Sequence, residues 1–153
     1  MKTFFYIFIL FFSVINSYAQ RELDFKKILS FKKIDSVFAT NSNYDSSWSI
    51  YLGALKDKNK KDKYFVIRKF DKTKAAATWH GHSTIYFFGL DKKLKALVNL
   101  SMPDNLPYKL ENNFFYFKYL QDGILKIFKS KMEIPLLKVF CSSDNECDLI
   151  DFK

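Results

Sequence analysis

Phe114-Phe115-Tyr116-Phe117-Lys118-Tyr119-Leu120-Gln121-Asp122-Gly123-Ile124-Leu125-Lys126-Ile127-Phe128 sets two aromatic and β-branched runs on either side of Asp-Gly. A two-residue type I′ turn needs positive φ at both central positions, and Asp-Gly between such runs is the strongest short-range hairpin signal in a sequence. With Asp122 and Gly123 as the loop, Gln121 faces Ile124, Leu120 faces Leu125, Lys118 faces Ile127, Phe117 faces Phe128 and Phe115 faces Ser130. One face then carries Phe115, Phe117, Tyr119, Ile124 and Phe128. The other carries Phe114, Tyr116, Leu120, Leu125 and Ile127, with Lys118 and Lys129 among them. Neither is a clean solvent face, so the pattern predicts a hairpin in the middle of a sandwich or closed barrel.

Outward from this hairpin, most of the chain reads as strand. Ser49–Leu55 and Tyr64–Phe70 flank the charged loop Lys56–Lys63, and Thr84–Leu90 and Leu94–Leu100 flank Asp91-Lys92-Lys93. Met102–Pro107 reads as a turn-rich connection, because Pro presets φ for a turn and Asp and Asn tolerate its later positions. Met132–Cys141 and Leu149–Phe152 complete about eight strands, with Pro135 marking an edge or bulge. Glu22–Thr40 reads as helix, with Phe25, Ile28 and Leu29 on one side and Phe31, Ile34, Val37 and Phe38 on roughly the opposite side. Such a helix is gripped on two sides or breaks near Ser30. Asn41–Ser47 reads as a polar loop. The expected fold is mainly β: an antiparallel meander of about eight strands, as a small barrel or sandwich, with one N-terminal helix.

Lys2, the apolar run Phe4–Ile15 and the small residues Ser17 and Ala19 have the order of a secretory signal peptide, with cleavage expected between Ala19 and Gln20. The apolar run falls short of the roughly 20 residues that span a bilayer, so no membrane span is expected after cleavage. The residue directly after the expected cleavage point is Gln20, not the cysteine that would carry a lipid anchor. Removing nineteen of the 153 residues leaves a single domain of 134, expected in the periplasm or outside the cell. Cys141 and Cys147, with five residues between them, are expected to form a disulfide in that compartment. So short a loop contributes about 2 kcal/mol in the chain-entropy account.

Without the signal peptide, 24 basic residues stand against 16 acidic ones. The lysines spread over nearly every element, and Arg68 is the only arginine beyond Arg21. Arginine is the residue of bidentate phosphate and base recognition, so the pattern argues against nucleic acid as partner. The same sequence is rich in Phe, Lys, Ile, Asn and Tyr, a composition that raises lysine without selection for binding.

No catalytic motif stands out, no cofactor is implied, and no G-x-S-x-G elbow marks a nucleophile. His80 and His82, the sole histidines, would project from one face of a strand about 6 to 7 Å apart at their Cα atoms and could supply half of a metal site. His82-Ser83-Thr84 resembles one H-x-T element of the two-histidine phosphoesterases, enzymes that need two; this chain has one. A metal-dependent hydrolase centred on His80 and His82 is the enzymatic alternative, and a self-associating structural protein of the envelope is a third. The expected function is non-catalytic binding of a protein or cell-surface ligand. Of the 22 aromatic residues beyond the signal peptide, Trp48, Trp79, Tyr44 and Tyr108 occupy loop or strand-end positions where an amphipathic ring can meet a partner.

Overall fold

The computed structural model describes residues 25–100, 105–131, 138–141 and 147–150. The expected signal peptide and its cleavage point lie outside these residues, as do Met132–Leu137, Asp151 and Phe152. Helix α1 is described over residues 25–31. A five-stranded antiparallel meander comes next, in the order β1 (Val37–Asn41), β2 (Asp45–Lys56), β3 (Asp62–Ala75), β4 (Thr78–Gly89) and β5 (Leu94–Leu100). Strands β6 (Lys109–Glu111), β7 (Phe114–Gln121) and β8 (Ile124–Lys131) form a second, three-stranded sheet, and β9 (Lys138–Cys141) pairs with β10 (Cys147–Ile150). The mainly antiparallel fold with an N-terminal helix is as expected. Among the described residues, however, the meander leaves β1 and β5 as edges and does not close on itself.

The helical segment is shorter than its hydrophobic spacing suggests. The helix ends at residue 31, Lys32 takes a positive φ of 45° and donates to the Ile28 carbonyl at 3.1 Å, and by Val37 the chain is a strand. This ending resolves the two-sided pattern. Ile28 and Leu29 are fully buried and the Phe25 ring lies 4.7 Å from Tyr86 and 5.1 Å from Phe88, whereas Phe31 and Ile34 face water. Helix α1 thus covers one face of the large sheet, against Tyr51, Phe65, Ile67 and Phe88.

The other face of the large sheet packs on the small one. Leu52, Leu55, Val66, Ile85, Phe87 and Val98 meet Leu110, Phe115 and Phe117 in one core. Phe87 and Phe115 cross edge to face at 6.3 Å and 82°, a favoured aromatic geometry. The β6–β7 turn is Asn112-Asn113, both at positive φ. Asn113 also ties the two sheets together: the Lys56 N–H donates to Asn113 Oδ1 at 2.8 Å, and Asn113 Nδ2 donates to the Lys56 carbonyl at 2.7 Å. The side chain replaces the ladder partner that a strand end lacks. Gly53, at φ 128° beside a register shift in β2, supplies a conformation that side chains resist.

The central hairpin has the expected turn and pairing: Asp122 and Gly123 adopt φ of 52° and 75°, and Phe117↔Phe128 and Phe115↔Ser130 are partners. Its position differs from the expectation. Phe115 and Phe117 are buried, but Ile124, Leu125 and Ile127 are exposed, and β8 is the edge of the small sheet rather than its middle. The rings on the outer face of β7 are covered by lysine side chains, which explains how a hairpin can be apolar on both sides with only one side in the core.

Burial, reinforced by Asp62, pushes the Tyr51 hydroxyl up to about 12. The folded value lies above the unfolded one near 10, so the stability held by the neutral phenol is intact below about pH 10 and lost as pH rises toward 12. Denaturant unfolding across this range should show a loss on the order of 2 kcal/mol that is absent in Tyr51→Phe.

Candidate functional site

Strands β3 and β4 run past the core as a long ribbon that ends in the Ala76-Ala77 turn. The strict pairing Phe70↔Ser83, Lys72↔Gly81 and Lys74↔Trp79 fixes which side chains share a face, since neighbours alternate along each strand. Trp48 pairs with Phe70 across β2 and β3. Trp48, Phe70, Lys72, Trp79, Gly81 and Ser83 therefore lie on one face, continuous with the core between the sheets. Trp48 and Phe70 stack at 5.6 Å with 16° between planes, and Lys72 Nζ stands 5.0 Å from the centre of the Trp79 ring.

Gly81 makes room for this stack. A Cβ there would lie 2.9 Å from the Phe70 ring, so the ring rests on bare backbone. Trp48 and Phe70 are half-buried and Trp79 is 39 % exposed. Tyr44, 68 % exposed, sits in the β1–β2 turn, and its carbonyl accepts from the Lys74 N–H at 2.7 Å. The backbone pairing thus places Tyr44, Lys74 and Trp79 side by side at the outer end of the ribbon. Tyr108 stands apart from them, edge to face with Tyr116 at 6.4 Å on the small sheet. Of the four rings expected to meet a ligand, Trp79 is on the ribbon and Trp48 and Tyr44 lie beside it, on β2 and the β1–β2 turn; Tyr108 belongs to another surface.

At the inner end of the strip, Arg68 Nη1 donates to the Pro107 carbonyl at 3.0 Å, while Arg68 Nε and Ser83 Oγ are buried without hydrogen-bond partners. Burial draws the Arg68 guanidinium below its ordinary pKa, with Asp35 opposing.

His80 and His82 lie on the opposite face of β4, across from Thr73 and Asp71, and are exposed. Asp71 is held by Lys69 Nζ at 2.7 Å. Among the described residues no three metal-capable side chains come together, so the two histidines remain half of a site. Cys141 and Cys147 are cross-strand partners in the β9–β10 hairpin, the pair next to its loop. No helix among the described residues is long and apolar enough to cross a membrane. Comparisons with protein-family models, with curated proteins and with solved structures return no match.

Proposed function

We propose that the protein is an exported, non-catalytic binding domain whose ligand, a protein or cell-surface molecule, lies along the Trp48–Phe70–Trp79 strip. The observation that carries this reading is that both tryptophans of the chain come onto one face of the large sheet where β3 and β4 run past the core, Trp79 exposed and Trp48 half-buried against Phe70. Aromatic side chains supply large contact area at low conformational cost and dominate binding energetics where they are centrally placed. Immobilised protein should retain a specific partner from envelope extract or culture fluid at physiological salt. Retention should survive raised salt and fall by tenfold or more in Trp48→Ala and Trp79→Ala. A partner that elutes on raising salt alone, or binds both variants as well as the parent, removes the strip from the interaction.

Export carries a second expectation. Directly opposed residues of an antiparallel pair sit about 4.5–5.5 Å apart at Cα, within disulfide range, so the Cys141↔Cys147 register supports a disulfide that closes the last hairpin. The exported protein should resist thiol alkylation until reduced. Stoichiometric labelling of the native protein would overturn the bridge.

A further inference from the structure

The outer face of the small sheet is a second surface, distinct from the tryptophan strip. Pairing aligns Lys109, Tyr116 and Lys129 in one row and Glu111, Phe114 and Lys131 in the next, with Lys118 one row further along β7. Every one of these lysines lies over a ring: Lys118 over Tyr108 at 4.5 Å, Lys109 over Tyr116 at 5.6 Å, and Lys129 and Lys131 over Phe114 at 5.4 and 6.0 Å. The rings hold the long side chains flat against the sheet, which reduces the rotamer freedom lost when a ligand binds. Glu111, paired with Lys109 at 2.8 Å, is the acidic residue set against these four lysines, and all four are exposed.

We infer that this face binds a linear acidic polysaccharide, whose spaced carboxylates or sulfates would meet the lysine rows. Rows two residues apart repeat at about 7 Å and neighbouring strands at about 5 Å, a grid of separated point charges. Single-stranded nucleic acid fits less well. Base stacking needs bare ring faces, which the ammonium groups cover here, and bidentate phosphate contacts need arginine, whereas Arg68 lies on the inner face of the other sheet.

The test uses the folded, full-length mature protein and a polygalacturonate oligomer in 0.15 M salt. The double variant Lys118→Gln/Lys129→Gln should bind about tenfold more weakly or worse, with a shallower salt dependence. Lys58→Gln/Lys60→Gln, an equal charge change in the exposed β2–β3 turn, should lose no more than about twofold, since that turn lies outside the lysine rows. Equal losses in the two pairs would reduce the interaction to net charge and overturn the site. Tighter binding of an oligo-dT strand or of phosphatidylglycerol vesicles than of the polyuronate would reassign the face to those ligands. Absence of polyuronate binding by the parent, with circular dichroism confirming its fold, would dismiss the inference outright.

Discussion

Phe115→Ala should destabilise the protein by about 3–5 kcal/mol, read as a lowered midpoint in chemical unfolding. The ring is fully buried, crosses Phe87 edge to face and joins the two sheets, so its removal leaves a cavity at the layer that holds them together. Against a total stability of about 5–15 kcal/mol for an ordinary domain, a loss of this size threatens folding itself. Ile124→Ala, in the same hairpin but 63 % exposed, should cost less than about 0.5 kcal/mol. The contrast decides which face of the hairpin is core. Equal costs for the two substitutions would mean that the small sheet is packed the other way round or not packed at all.

Asp122→Pro should have the second large effect, about 3 kcal/mol or more. Proline fixes φ near −65°, and Asp122 must hold +52° for the turn to reverse the chain between β7 and β8. Glycine at the same position meets the φ requirement, so Asp122→Gly should fall within about 0.5 kcal/mol of the parent. A parent-like midpoint for Asp122→Pro would show that the turn is made differently.

The hairpin is legible in the sequence because its signals agree: turn chemistry, β-branched and aromatic enrichment, and a register that the two-residue loop leaves no freedom to alter. The β3–β4 ribbon is legible only in part. Its strands run to Ala75 and start again at Thr78, yet Ala76-Ala77 carries none of the residues that mark a turn, and Ala76 takes φ 55° without a glycine to announce it. The residue pattern therefore marks strand only over Tyr64–Phe70 and Thr84–Leu90, short of the full ribbon. Strand β1 is hidden by the repeat Phe25-Lys26-Lys27-Ile28 and Phe31-Lys32-Lys33-Ile34, whose three-residue spacing imitates a continuing helix that Lys32 ends. Strand β6 has three residues, too few for any periodicity to show.

The candidate site shows the same division. The sequence marks Trp48, Trp79 and Tyr44 as loop or strand-end rings, and Tyr44 and Trp79 are exposed while Trp48 lies half-buried within β2; that the three are neighbours rests on the Trp48↔Phe70 and Lys74↔Trp79 pairings and the Lys74–Tyr44 hydrogen bond, which depend on contacts between distant segments. Phe70 and Gly81 escape a reading of the sequence because a phenylalanine in a strand and a glycine between two histidines carry no signal until the sheet brings the ring over the bare backbone. The lysine rows are legible only in part. Alternation and the two-residue turn place Lys118 and Lys129 on the face of Phe114 and Tyr116, whereas Lys109 joins them only through the pairing of β6, too short to be read, and the seating of lysines over the rings depends on the folded side chains.

Both tryptophans of the chain belong to the proposed strip, so intrinsic tryptophan emission reports on that surface alone. Adding the partner retained by the immobilised protein should shift the emission to the blue and shield it from acrylamide quenching, with the effect halved when either Trp48 or Trp79 is replaced by phenylalanine. Saturating, salt-resistant binding of that partner with emission and quenching unchanged would place the interaction elsewhere on the molecule and contradict the account.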